Sequence, residues 1–270
     1  MSDGVAEARR PPVVSPRARL VSALLGLVLL VLFLVPPLAS LARHYELFEA
    51  LQFSVFALVI PALFVLGAPW WRLGLATLPG EDGPPRLLDR LATARRRHRD
   101  FVRGAGFVLF DLAVIIFWRT SVAVDHLVTY GWLSLVEAAT LGAVGILLWL
   151  ELVASPPLVP RCTRPERVAL AAVSMWTVWT IAYFLGFSRS SWYQAFHHGA
   201  SSALSGPADQ QLSTVILWFV AAAVFVPVIF WNLVLWLRSE EDPDDELQRL
   251  VRESKRRGWY SPPPLHRPPR

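Results

Sequence analysis

The chain has 270 residues, of which 54% are hydrophobic and only 17% charged. That excess of apolar side chains exceeds what the interior of a water-soluble fold of this size can hide, which excludes a soluble enzyme, a disordered chain or a disulfide-stapled module over most of the length. The net charge of +5 is carried almost wholly by arginine, scattered in short segments between apolar runs rather than on one basic face, so nucleic acid is not an expected partner and the lipid bilayer is.

A hydrocarbon core of about 30 Å calls for roughly 20 apolar residues in one helix, with every backbone group paired internally. Six stretches meet that requirement, at about 20–42, 48–70, 104–124, 127–153, 168–187 and 212–237. The predicted fold is therefore an all-α, polytopic membrane bundle of six transmembrane helices. The first run is longer than the apolar part of a signal peptide, and no small-x-small cleavage site follows Pro36 and Pro37, so a retained helix is expected. Asp111 and Arg119 interrupt the third span.

Before the first span lie Arg9, Arg10, Arg17 and Arg19. After the second come Arg72, Arg86, Arg90, Arg95, Arg96, Arg97, Arg99 and Arg103, and after the fourth Arg161, Arg164 and Arg167. With the tail after the last span, 23 of the 26 lysines and arginines fall on one side of the membrane; only Arg43, Arg119 and Arg189 fall on the other. The positive-inside rule then places both termini in the cytoplasm.

Three parts are expected: a disordered tail over 1–16, a membrane domain over 17–240 and a basic, proline-rich tail over 241–270. Residues 80–100 pass from a turn into an arginine-rich segment suited to an interfacial helix near anionic lipid, and 246–256 suit a short helix after the last span. Trp118, Trp149, Trp218 and Trp236 are expected to anchor span ends at the membrane surface. Gly142, Gly145, Ala138 and Ala139 favour close helix approach on the fourth span. Pro61 and Pro69 are expected to bend or end the second.

Two carboxylates stand within predicted spans. On the predicted boundaries Glu137 lies about 15 Å below the outer face and Asp111 about 10 Å above the inner one. A charge there costs about 2.5–3.5 kcal/mol on insertion scales, so each reads either as a buried carboxyl hydrogen-bonded to a neighbouring helix or as part of a proton relay. A second polar group gathers on the outer side: His44, Glu46, Glu49 and Gln52 at the start of the second helix, Asp125 and His126 before the fourth, and His197, His198 and Asp209 before the sixth. Imidazoles there bind copper or zinc when their spacing allows. Adjacent His197 and His198 point in different directions on a helix, so solvated loop histidines are expected. The lone Cys162 forms neither an intramolecular disulfide nor a Cys-x-x-Cys site. No nucleophile with a paired base is visible, and no enzymatic activity is expected.

The second helix carries Phe48-Glu49-Ala50-Leu51-Gln52 and closes on Pro61-Ala62-Leu63-Phe64-Val65-Leu66-Gly67-Ala68-Pro69. Asp209-Gln210-Gln211-Leu212 opens the sixth, followed by Leu217-Trp218. Glu137 lies between them, eight residues before Gly145 and twelve before Trp149. This set, in this order over roughly 18–240, resembles the CtaG family of polytopic proteins required to assemble haem–copper cytochrome c oxidase. The resemblance implies an assembly factor whose partners are oxidase subunits, acting as a subunit scaffold or in cofactor delivery. It also implies that the membrane histidines of the family are metal ligands, for copper. Here the positions matching those histidines are Glu49 and Phe53 on the second helix, Ser134 and Ala138 on the fourth, and Arg119 after Trp118, while Gln52 and Asp125 are retained. The family's usual additional N-terminal helix has no counterpart. Two further readings stand beside this one: copper handling at the outer face through His44, Glu49, Asp125, His126, His197 or His198, and a small proton-coupled transporter using Glu137 and Asp111.

Overall fold

The structure is a computed structural model, which describes residues 15–76, 84, 86–97, 101–188, 190–196 and 205–240. Among these, six helices are long and apolar enough to cross a membrane. They are α1 (Pro16–Leu34), α3 (Glu46–Gly67), α5 (Phe101–Trp118), α7 (Leu133–Leu152), α8 (Arg164–Phe187) and α9 (Gly206–Glu240). Three shorter helices lie between them: α2 (Leu38–Ala42), α4 (Leu87–Arg97) and α6 (Ser121–Thr129).

Helix starts follow their capping residues. Ser15 accepts the Ala18 N–H at the start of α1, Thr120 does the same for Ala123 at α6, and Thr163 with Glu166 forms a capping box at α8. Ser15 and Pro16 thus belong to a helix start rather than to the expected disordered tail; residues 1–14 and 241–270, including the predicted 246–256 helix, lie outside the described residues.

Three of the boundary shifts matter for the polar residues or have a visible cause in the chain. The first span ends at Leu34, because Pro36 and Pro37 break it and α2 begins anew at Leu38. The third ends at Trp118, since Thr120 caps a separate helix, α6. The fourth begins at Leu133 rather than 127, so Glu137 lies only about 6 Å along α7 from its start, and Asp111 about 15 Å along α5 from Phe101. Asp125 and His126, expected in a loop, lie on α6.

Helix α3 is the axis of the bundle, with 72% of its apolar window buried, against 11% for the peripheral α1. Pro61 cannot donate to the carbonyl four residues earlier, and the turn before it, Val55–Val59, widens into a π-helix. The Ala57 carbonyl faces α7, where a Cβ on Gly145 would come within 2.6 Å of the Pro61 ring and 3.0 Å of the Ala57 oxygen. Glycine is required at that crossing. Gly142 meets nothing within 4 Å and Ala139 is exposed, so only Gly145 and buried Ala138 fit the expected close approach. Helix α3 stops where Ala68 turns left-handed (φ 43°) ahead of Pro69.

Helices α8 and α9 form the other main pair, joined by stacked Trp179 and Trp218 (4.7 Å) and by the Trp179 indole donating to the Trp218 carbonyl (3.1 Å). Three of the tryptophans read as surface anchors sit differently. Trp149 is fully buried and stacks on Phe225, Trp118 is buried and donates to Thr140 (2.9 Å), and Trp218 stands twelve residues inside α9. Packing partners decide these positions, which proximity to a predicted span end cannot show. Leu109, Phe110, Phe184, Val215 and Phe219 point outward, as a hydrocarbon solvent permits.

Candidate functional site

A polar cluster is enclosed at the end of the bundle opposite the arginine-rich loops. It begins with α3, whose first two turns present Glu46, Glu49, Gln52 and Phe53 to the interior, all at most 4% exposed. Glu46, Glu49 and Gln52, expected in an outer polar group, are core.

Arg119, the residue after α5, reaches the same space. Its Nη1 donates to Glu49 Oε2 at 2.5 Å, and its guanidinium lies between the rings of Phe53 (5.0 Å) and Tyr193 (5.1 Å). Burial alone would lower the Arg119 value, but the adjacent Glu49 carboxylate outweighs it and holds the group above its ordinary range. Tyr193, also fully buried, is pushed up by burial, with Glu49 and Glu46 adding to the rise against Arg119; its neutral hydroxyl donates to the Arg119 carbonyl (3.2 Å). Glu137 of α7 is 2% exposed and feels the charges of both Glu49 and Arg119, so it belongs to this cluster. Ser213 of α9 lies 2.9 Å from Glu46 Oε1.

The interior is not saturated. Glu46 Oε2, Glu49 Oε1, Glu137 Oε1 and the Nε and Nη2 of Arg119 are buried without hydrogen-bond partners. Asp111, also buried, lies eight residues before Arg119 on α5, about 12 Å of helix rise away. Its Oδ2 lacks the neighbouring-helix hydrogen bond expected of a structural carboxyl.

Around this centre runs a frame of side chains that close backbone ends. Helix α3 has no local side-chain cap at Tyr45; Asp209, from α9, accepts the N–H groups of Glu46 (2.7 Å) and Leu47 (3.0 Å) instead. Gln210 accepts from Trp192 N (2.7 Å) and donates to the Leu185 carbonyl (2.6 Å), tying the loop after α8 to the α8 terminus. Asp125 accepts from Ala195 N (2.9 Å), and Gln52 donates to the Phe33 carbonyl near the end of α1 (2.7 Å). Gln211, beside these, is exposed.

The positions where the family resemblance keeps its motif, Gln52, Asp125, Asp209 and Gln210, thus build the frame. Of the positions where it loses histidine, Glu49, Phe53 and Arg119 fill the centre, with Arg119 meeting the other two, while Ser134 is half-buried and Ala138 buried on α7.

The centre does not fit copper. Its donors are carboxylate oxygens rather than imidazoles, and a guanidinium already stands among them, repelling a second cation. His44 and His126 are both exposed and donate to their own helical carbonyls, Ser40 (2.7 Å) and Val122 (2.7 Å). His197 and His198 lie outside the described residues. Among the described residues no group of three or more His, Cys, Asp or Glu side chains is placed to hold a metal ion. The interior residues that sequence reasoning passed over are Phe53 as an aromatic wall, Tyr193 and Ser213. Arg119 was read as a charge interrupting a span and as a position matching a family histidine, but not as the partner of Glu49, which lies on an earlier helix.

No curated protein and no solved structure matches the chain. A family model does, that of the cytochrome c oxidase caa3 assembly factor, over residues 3–239. Six apolar spans, the Asp209–Gln210 frame and that match lead to one assignment: the chain belongs to the CtaG family of cytochrome c oxidase caa3 assembly factors.

Proposed function

We propose that this chain serves oxidase assembly as a membrane scaffold that holds a client subunit, without catalysing a reaction and without carrying copper in its buried cluster. One observation carries the reading: Glu49 and Arg119, at two positions where the resemblance implies metal-ligating histidines, are paired with each other inside the bundle. The guanidinium of that pair places a fixed positive charge among the carboxylates, where a metal cation would be repelled, while the surrounding frame preserves the shape of the bundle end. The client is a subunit of the haem–copper oxidase, bound with both termini of this chain in the cytoplasm, as the arginine distribution supports.

Deleting the gene and recording reduced-minus-oxidised haem spectra of the membranes tests the assembly role; the oxidase signal is expected to fall and to return on complementation. Crosslinking in native membranes followed by mass spectrometry is expected to capture an oxidase subunit. Copper analysis of the purified full chain after loading separates scaffold from carrier. One copper per chain, lost in Glu49→Gln, would overturn the metal-free reading while leaving the assembly role standing.

A further inference from the structure

The arginine-rich end carries a further buried carboxylate, Glu151, in the last turn of α7 and fully enclosed. Both its oxygens are engaged. Oε1 takes the Arg95 guanidinium of α4 at 2.7 Å, and Oε2 takes the backbone N–H of Arg161 at 3.0 Å. Arg95 also donates to the Leu150 carbonyl (3.2 Å), pinning the short helix α4 against the bundle.

The Arg161 side chain turns to the same place. Its guanidinium lies over the Phe107 ring (5.7 Å) and near enough to Arg95 for the two charges to repel, and its Nε is buried with no hydrogen-bond partner. Burial lowers the Arg95 value, Glu151 opposes that, and Arg161 adds to it. Among the described residues nearby, Arg167 donates to the Cys162 carbonyl (2.9 Å) and Glu166 accepts from Thr163 N (2.6 Å). Two guanidinium groups are thus brought together beside Glu151, whose oxygens are taken by the Arg95 side chain and the Arg161 backbone.

This surplus charge sits where α7 ends and hydrocarbon gives way to headgroups. Along α4, Leu88 and buried Ala92 face the bundle, while Leu87 (63% exposed) and Leu91 (48%) flank that face. Val102, at the start of α5, is exposed as well. Apolar flanks beside a cationic notch suit a ligand with a charged head and hydrocarbon chains.

We propose that Arg161, backed by Arg95, holds the phosphate of an anionic phospholipid. Purified full-length chain in detergent, offered equal amounts of phosphatidylglycerol and phosphatidylcholine with identical acyl chains, is read by native mass spectrometry. Phosphatidylglycerol is expected to be retained in preference. Arg161→Gln should weaken that preference about fivefold, the effect of one interfacial arginine. Arg161→Lys should keep most of it, and Arg43→Gln, at the opposite end, should leave it unchanged. Equal retention of the two lipids by the wild-type chain overturns the proposal, as does an unchanged preference in Arg161→Gln. Displacement of the lipid by inorganic phosphate also overturns it, by making the free anion the ligand. None of these outcomes bears on oxidase assembly, so the two readings fail separately.

Discussion

Arg119 and Glu49 stand 70 residues apart in sequence and meet at 2.5 Å, both nearly inaccessible, inside one end of the bundle. A lone buried charge is expensive, whereas a paired one is tolerated because each partner replaces the water the other lost. Removing one member should therefore cost more than removing both. Arg119→Met is expected to destabilise by about 3–5 kcal/mol. Adding Glu49→Leu should recover at least half of that loss, although Glu46 and Glu137, which also feel the Arg119 charge, keep the recovery incomplete. Thermal unfolding in detergent of both single variants and the double variant closes the cycle. Strictly additive losses would mean that the two side chains are not coupled.

Asp209 caps α3 from another helix, so its loss should appear at a distance. Asp209→Ala is expected to cost about 1 kcal/mol, the usual value of an N-terminal cap. Hydrogen exchange should speed up at the Glu46 and Leu47 amides, which it binds. Unchanged exchange at those two amides would refute the capping role.

The two α7 glycines should respond in opposite ways. Gly145→Ala drives a methyl group into Pro61 and the Ala57 carbonyl and is expected to destabilise by about 1–3 kcal/mol. Gly142→Ala has open space and should be neutral or stabilise by up to about 1 kcal/mol through helix propensity. Melting temperatures that move together for the pair would contradict the crossing geometry.

Cys162 is buried beside Glu151 and Glu166, and its thiol is raised to about 11, by burial first and by those carboxylates next, against Arg167 and Arg161. The thiolate is the form that reacts and lies above that value, so reactivity should climb with pH. Only about one thiol in a thousand is ionised at pH 8, against roughly a quarter for an ordinary cysteine. Maleimide labelling of the folded chain should be slow at pH 7.5 and rise about tenfold per pH unit, whereas SDS-unfolded chain should label rapidly throughout. Equal rates for folded and unfolded protein at pH 7.5 would show the thiol to be exposed.

Much of the architecture was legible from residue order because hydrocarbon imposes a simple rule: a helix long enough to span, with no backbone group left unpaired. That rule marks the six spans, and the prolines and capping hydroxyls account for most of the displaced boundaries. It is silent about neighbours. Trp149 and Trp118 look like interface anchors in sequence, yet both are core, since what decides them is Phe225 on one helix and Thr140 on another.

Sequence by itself determined that the chain is a membrane bundle, on which side its arginines gather, and that Glu49, Phe53 and Arg119 stand where related chains carry histidine. Local periodicity and charge distribution suffice for the first two, and the third is what the family resemblance implies. Tertiary structure alone decided that these three positions converge, that Asp209 closes the start of a helix 163 residues earlier, and that Arg95 and Arg161 share one carboxylate. Each of those depends on which helix faces which, a relation fixed by packing between distant segments rather than by any stretch of residues.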